Sequence, residues 1–467
     1  MELRNRPPSR ARAPGAHARR HRPTLGVRSP DPPPHRRADR TDGCTISRTD
    51  NRTTRPGRQL QMADRVTVIG WDGSPLTAAA RSALSAATLV AGAAHHLALK
   101  EVPPAAERIR LGSVELAARR IAQHRGTAVV LADGDPGFFG VVRTLRAPEH
   151  GLEVEVVPAV SSVAAAFARA GMPWDDAQIV VAHSRDLRRA VNVCRAHTKV
   201  AVLTSPGAGP AELALLLRDV HRTFVICEAL GTTQEQVTVL TSDKAADHVW
   251  RDPNVVIVVG GPAGSAATQG TGWLAGHEVG YPTGPRGWGL SDSAYGGGLS
   301  EGESGQLRTA QLARLGPAVG DLVWDIGSGS GAAAVEAARF GAAVIAVDAD
   351  EDACARTTAV ARRYGVQLQV VHGRAPQVLE DLPEPDVVRI GGGGTAVVTA
   401  CAARRPERIV THAATRDEAE ALGRALADGG YEVECALLQS VELDTSVWVE
   451  RERAVVFLVC GYRVHHP

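Results

Sequence analysis

The chain has 467 residues, 44% hydrophobic and only 4% aromatic, with a formal charge of +1. That length holds two or three domains, with cores built from Ala, Val and Leu. Residues 1–62 contain 15 Arg, no Lys and 5 acidic residues, a balance of +10, so the remainder carries −9. A body of that sign excludes a global basic face for nucleic acid.

No run of 18 apolar residues occurs, so no membrane span is expected, and no apolar segment follows the basic start to make a secretory signal. The seven cysteines are scattered without a CxxC pair. That pattern points away from a zinc site or a disulfide framework and toward the reducing cytoplasm.

Residues 1–61 are rich in Arg, Pro and His and read as a disordered basic tail. The stretch MADRVTVIGWDG from Met62 is a natural start leading straight into a strand. The upstream segment therefore reads as a tail without function or a misassigned translation start. Its prolines argue against a transit peptide.

From Val66 to Val259 short apolar runs alternate with helical stretches. Strands are expected at Val66–Ile69, Ala128–Leu131, Val154–Val157, Ile179–Ala182, Val200–Thr204, Thr223–Cys227 and Val255–Val259. Helices are expected at Leu76–Ala87, Ser113–Gln123, Ser162–Ala170 and Pro210–Asp219. The alternation predicts an α/β domain with a mainly parallel sheet.

Three segments of this part carry turn chemistry. Gly70 and Gly73 follow the first strand, and Thr77 is a candidate helix cap. Asp133-Gly134-Asp135-Pro136 ends another strand, either as a plain turn or as a ligand loop. Ser161 and Ser162 stand at a helix start, as caps or as contacts to the amino-acid end of a ligand. His95 and His96 read as solvent-facing residues at a helix end.

Residues 262–289 are rich in Gly, Pro, Thr and Ser and read as a linker. The next domain, from Leu290, contains LVWDIGSGSGAAAVEAARFGAAVIAVDAD (Leu322–Asp350), which reads strand, glycine turn, helix, strand, acid. Gly327, Gly329 and Gly331 let backbone approach a ligand. Asp348, 21 residues after Gly327, has the spacing of a ribose-binding carboxylate.

A dinucleotide dehydrogenase wants a sixth-position glycine here, but the residue is Ala332. Asp325, two residues before the first glycine, would repel a pyrophosphate and suits the cationic amino-acid end of S-adenosylmethionine. Further strands are expected at Gln367–Val371, Asp386–Ile390, Arg408–Thr411, Glu432–Gln439 and Ala454–Cys460, with helices such as Glu351–Arg363 and Asp417–Ala427. The last two strands lack a helix between them and read as an antiparallel pair closing a doubly wound, Rossmann-like sheet.

DxGxGxG with Asp348 resembles the first motif of class I methyltransferases. The segments around Gly70, Asp133–Pro136 and Ser161–Ser162, with LTSPGAGPAEL (Leu203–Leu213) and ICEALGTTQEQV (Ile226–Val237), resemble the tetrapyrrole (class III) methylases. The first turn, GWDGSP, is shorter than the loop of that family. WGLSDSAY (Trp288–Tyr295), RTAQLARL (Arg308–Leu315), Val370–Gly394 and Arg408–Leu422 resemble the partner half of a two-domain family, the decarboxylating precorrin-6Y C5,15-methyltransferases.

The resemblance implies two cofactors of S-adenosylmethionine, one per domain, and a tetrapyrrole substrate. It implies methylation at C5 by residues 62–261, and methylation at C15 with loss of the C12 acetate carboxyl by residues 290–467. It adds Gly373 and Ala375 to the cofactor residues, and implies a cytoplasmic homo-oligomer with no nucleic acid or membrane partner. Departures are Glu303-Ser304-Gly305-Gln306 where the family has a basic stretch, Arg389 where it has an apolar or aromatic residue, and His412 where it has asparagine.

Arg389 and His412 are the expected substrate-orienting residues. Arg308, Arg374, Arg143 and Arg185 are further candidates for the substrate's carboxylates. Methyl transfer from a sulfonium needs alignment and exclusion of water more than a strong base, so no nucleophile–base signature is expected. Another substrate, such as RNA, is the alternative, and the acidic body weighs against it.

Overall fold

A computed structural model describes residues 65–260, 288–295 and 304–464. The expected tail, and the expected linker up to residue 287, lie outside the described residues. The described part of Met62–Pro467 is one compact unit built on three sheets.

The first sheet comprises β1 (Arg65–Trp71), β2 (Leu89–Gly92), β3 (Glu107–Arg110), β4 (Ala128–Asp133) and β5 (Glu153–Val157), in the order β3-β2-β4-β1-β5, all parallel. Its helices are α1 (Ala78–Ser85), α2 (Ala94–Leu97), α3 (Val114–Ala122) and α4 (Val141–Leu145). β1 lies between β4 and β5, and its run from Val66 to Gly70 is buried, as a strand covered on both faces requires. Thr77 caps α1 by accepting the Ala80 N–H at 3.2 Å.

Next come α5 (Ser162–Ala170), β6 (Gln178–Val181), α6 (Leu187–Ala196), β7 (Lys199–Leu203), α7 (Pro210–Leu216), β8 (Thr223–Glu228), β9 (Gln236–Thr241), α8 (Ser242–Ala246) and β10 (Asn254–Val259). The second sheet runs β6-β7-β10-β8-β9. Only β6 and β7 are parallel; the other pairings are antiparallel, against the expectation of a mainly parallel sheet. The cause is local. Residues 229–235 between β8 and β9 are too few for the crossover that a parallel pair needs.

The period-two pattern splits this sheet into two faces. Ala201, Val225, Cys227, Val255 and Ile257 pack on Val163, Ala166 and Phe167 of α5. Val200, Val202, Phe224, Ile226, Val256 and Val258 pack on Ala190, Val191, Val193 and Cys194 of α6.

The third sheet contains β11 (Leu322–Ile326), β12 (Ala343–Asp348), β13 (Gln369–His372), β14 (Val387–Ile390), β15 (Arg408–Ala413), β16 (Tyr431–Asp444) and β17 (Val449–Arg463). Its helices are α9 (Gly305–Leu315), α10 (Ala332–Arg339), α11 (Glu351–Arg363), α12 (Gly394–Ala403) and α13 (Arg416–Asp428). The order is β13-β12-β11-β14-β15-β17-β16, with β17 antiparallel to both of its neighbours. This is the expected doubly wound sheet with its closing hairpin, although the hairpin strands run farther, to Asp444 and from Val449. Trp324, Ile326, Ile345 and Ile390 face α12 and α13, while Val323, Val344 and Val387 face α9 and α10.

α6 also docks on the third sheet. Asn192 donates to the Gly320 carbonyl at 2.9 Å and to Asp386 Oδ2 at 3.2 Å, and Arg188 pairs with Asp386. Arg222 donates to Gln367 Oε1 at 2.9 Å, and Gln367 donates to the Gly260 carbonyl at 3.2 Å. Ala196 lies within the core under β11 and β12.

Candidate active sites

In the third sheet the glycine turn joins β11 to α10. Gly327, Gly329 and Gly331 have φ of 71°, 55° and 76°, the left-handed region where a side chain is strained. Gly327 N–H donates to the Val347 carbonyl at 2.8 Å, and Gly329 N–H to Asp348 Oδ2 at 2.8 Å. Asp348 also accepts the Asp350 N–H at 3.0 Å, and its carbonyl accepts the Gly373 N–H at 2.8 Å. Gly327, Gly329, Asp348 and Gly373 are thus brought to one end of the sheet, the C-terminal ends of its parallel strands. Ala375, two residues on, is half-buried against the core.

Asp325 is 1% exposed. Its Oδ1 accepts Arg389 Nη1 at 2.8 Å, and its Oδ2 has no hydrogen-bond partner among the described residues. A buried carboxylate oxygen without a donor is costly unless a ligand supplies one. That is a fit for the ammonium of S-adenosylmethionine.

Arg389 does not reach out toward a substrate. It is 3% exposed and folds back onto Asp325, the Gly327 carbonyl (3.3 Å) and Gln311 Oε1 (3.1 Å). The opposite charge on the adjacent strand draws it inward: Asp325 and Arg389 are register partners in β11 and β14.

Gln311 completes a chain that the sequence did not reveal. An arginine only donates, so the Gln311 oxygen faces Arg389 and its amide donates to His412 Nδ1 at 3.2 Å. His412 is then an Nε2–H donor, and burial followed by the Arg389 charge holds its pKa below the usual imidazole value.

Arg308 is also not a cleft cation. It is 5% exposed and donates to Glu336 Oε1 at 2.9 Å. Glu336, wholly buried in an alanine-rich helix, also accepts Tyr295 Oη at 2.7 Å, Gly289 N–H at 2.5 Å and Leu290 N–H at 3.2 Å. One carboxylate thereby pins the segment before α9. Glu336→Ala should lower stability by about 3–5 kcal/mol, because the buried Arg308 charge loses its carboxylate and keeps only the neutral Leu290 carbonyl among the partners described. Denaturant unfolding, with Glu336→Gln as the milder comparison, checks this. Arg143, Arg185 and Arg374 are exposed.

In the first sheet three loops meet at the C-terminal ends of β1, β4 and β5. A Cβ on Gly70 would lie 2.3 Å from the Gly134 carbonyl oxygen and 2.9 Å from Ala159 N. One on Gly134, at φ 63°, would lie 2.7 Å from Ser162 N. Gly73, at φ 87°, abuts Gly231 of the loop after β8, so that loop borders the same end of the first sheet. Asp72 ties the short first turn to the loop after β5, accepting Ser74 and Val160 N–H at 3.0 and 3.2 Å. Burial opposes its charge, and those bonds still hold its pKa below the usual carboxylate value.

The candidate polar groups here are largely committed to the protein. Ser161 caps α5 through the Ala164 N–H (3.1 Å), and Asp135 accepts the Gly137 N–H (2.8 Å). Asp133 bonds His95 Nε2 at 2.8 Å, and His96 Nε2 faces the same oxygen at 3.1 Å. His96 is 1% exposed, against the expectation that both histidines face solvent.

These three residues are a metal-like donor set, with donor atoms within 4.8 Å of one another. However, the Ala93 N–H donates to His96 Nδ1 at 3.2 Å, which places the ring proton on Nε2. A protonated nitrogen does not ligate a metal, so the cluster shares protons instead. The Asp133 bond raises the His95 pKa. Burial opposes the Asp133 charge, and the two histidines still hold its carboxyl well below the usual range. His95 thus stabilises the fold below about pH 6.5 and loses this as pH rises through its folded pKa; Asp133 contributes above about pH 4 and loses it on acidification.

Residues 71–246 match the family model described as Tetrapyrrole (Corrin/Porphyrin) Methylases, and residues 303–449 the one described as Precorrin methyltransferase domain. A Sinorhizobium protein named precorrin-6Y C(5,15)-methyltransferase [decarboxylating] is 33% identical over 345 residues, 71% of this chain and 76% of that protein.

The chain belongs to the precorrin-6Y C5,15-methyltransferase (decarboxylating) family.

Two shorter relatives resemble parts of this precorrin-6Y C5,15-methyltransferase family member. A Pyrobaculum calidifontis protein named probable cobalt-precorrin-6B C(15)-methyltransferase (decarboxylating) is 35% identical over 138 residues, 28% of this chain and 71% of that protein. A Salmonella typhimurium protein named cobalt-precorrin-7 C(5)-methyltransferase is 35% identical over 171 residues, 35% of this chain and 82% of that protein. No helix among the described residues is long and apolar enough to cross a membrane.

Proposed function

We propose that the chain methylates precorrin-6Y at C5 and C15 and removes the carboxyl of its C12 acetate, giving precorrin-8X in cobalamin biosynthesis. The observation that carries this reading is the presence of both methylase modules, at 71–246 and 303–449, in one chain. In it, residues 1–61 are a tail, 62–261 the C5 half, 262–289 a linker and 290–467 the C15 and decarboxylating half.

S-adenosylmethionine, one per half, supplies the methyl group on a sulfonium. In the C15 half, Asp325 Oδ2 accepts from the donor's ammonium and Asp348 from its ribose hydroxyls. Gly327, Gly329 and Gly331 bring bare backbone against the donor, and Gly373 and Ala375 border the same cleft. Arg389 orients Asp325 from behind. His412, held as an Nε2–H donor, binds a substrate carboxylate and orients the acetate, and the exposed Arg374 adds a cation. In the C5 half, Gly70, Asp133, Gly134, Asp135, Ser161 and Ser162 surround the donor. Asp133 and Ser161 shape the loops there, while backbone amides and the Ser162 hydroxyl make contact. Arg143 and Arg185 attract the substrate's carboxylates.

The reading places the enzyme in the cytoplasm, supported by six unpaired cysteines among the described residues, of which burial pushes the Cys194 and Cys401 thiols up to about 12. It includes self-association, supported by Leu437, Val447, Trp448 and Val449, exposed along the β16–β17 hairpin. Incubating the purified chain with precorrin-6Y and S-adenosylmethionine should yield, by mass spectrometry, a product with two added methyls and one carboxyl fewer. An unchanged mass would sink the assignment.

A further inference from the structure

The residues through which α6 and its neighbours dock on the third sheet share one property. Gly320 precedes β11, Gly341 precedes β12, Gln367 precedes β13 and Asp386 precedes β14. A Cβ on Gly341 would face the His197 ring at 3.8 Å, and the other three are hydrogen-bonded to Asn192, Arg188 or Arg222. The docking surface is therefore the N-terminal edge of the parallel strands. Gly327, Asp348, Gly373 and His412 lie at or beyond the C-terminal ends of β11, β12 and β13 and near the end of β15.

The C5 cleft lies on the far side of the second sheet. Ser161 and Ser162 begin α5, which packs on one face of that sheet, while α6 packs on the other. In order, the layers are C5 cleft with α5, second sheet, α6, N-terminal edge of the third sheet, and C15 cleft. A helix is about 10 Å across, and a five-residue strand rises about 16 Å, so roughly 25 Å of packed protein separates the clefts before the second sheet is counted. The residues in between are closed core: Ala190, Cys194, Val200, Val202, Phe224 and Ile226 are all 1% exposed or less.

We infer that the two active sites of one chain open away from each other, and that the singly modified tetrapyrrole passes between them by release into solvent rather than by internal transfer. Fusion of the halves then fixes their stoichiometry and orientation without raising the local concentration of the intermediate at the second site. This inference rests on the functional reading given above.

Isotope dilution with the unmodified chain tests it. Labelled precorrin-6Y is converted in the presence of a pool of unlabelled singly modified tetrapyrrole, prepared with whichever of Gly73→Ala or Gly331→Val releases it. Label in the doubly methylated product is expected to fall in proportion to the fold-excess of the pool. Undiluted label overturns the inference while leaving the functional reading standing. Failure of the unmodified chain to convert precorrin-6Y at all overturns the functional reading, and the inference with it. As a second measurement, equal parts of the two variants should together complete the reaction that neither completes alone, and failure to do so when each keeps its own half-reaction counts against release.

Discussion

Asp325→Ala should weaken donor binding about 100-fold at one of two sites. Titration calorimetry with S-adenosylhomocysteine, which keeps the ammonium, should show two sites of intact affinity per chain before the substitution and one after it, the loss at the altered site being the scale of a hydrogen bond between charged groups. The same change should lower stability by about 3–5 kcal/mol, because Arg389 is left buried without its carboxylate. Combining Asp325→Ala with Arg389→Leu removes both charges and should recover most of the stability while leaving binding at the site weakened. Undiminished binding at both sites in the double variant would show that Asp325 serves only the fold. The orphaned Oδ2 is the reason to expect otherwise.

Gly73→Ala should disable the C5 half alone. Its Cβ would lie 1.8 Å from the Gly231 carbonyl oxygen, at a φ of 87°, so the first turn and the loop after β8 must separate. A displacement near 1 Å costs about 100-fold in rate when it misaligns reacting groups. Mass spectrometry should then show loss of the C5 methyl with the C15 methylation and decarboxylation retained. Gly171→Ala, at φ 66° with nothing within 4 Å, is the control for backbone strain. It should cost about 1 kcal/mol of stability and leave both half-reactions intact. Equal loss of both half-reactions in Gly73→Ala, together with a lowered denaturation midpoint, would mean that the substitution acts on the whole unit.

The elements around the glycine turn were legible because their signals are local. A run of apolar residues, three glycines and an acid at fixed spacing determine a strand, a turn and a second strand within thirty residues, and the structure keeps them in register as β11 and β12. The antiparallel closing pair was legible for the same reason. β2 was missed because its LVAG run merges with the alanines on either side, β3 because three of its four residues are charged, and β9 because its alternation faces solvent.

Side-chain direction was the larger loss. Sequence position put Arg389 at a strand end, but only the neighbouring strand shows that Asp325 turns it inward. His95 and His96 read as surface residues because their partner, Asp133, is 38 positions from His95 and reaches them only once β2 and β4 pair. Glu336 carried a usable signal, an acid within an alanine-rich helix, although its four donors come from segments 28 to 47 residues away.

The docking of α6 on Gly320, Gly341, Gln367 and Asp386 divides the third sheet into two evolutionary regimes. Loops at the C-terminal ends of its strands can drift as a substrate changes, with no effect on the neighbour. A substitution at the opposite ends also acts on Arg188, Asn192 or Arg222. A half transplanted from a single-module relative therefore inherits its chemistry intact and its seat wrongly shaped, and a working chimera needs those few edge residues carried over along with the host's α6.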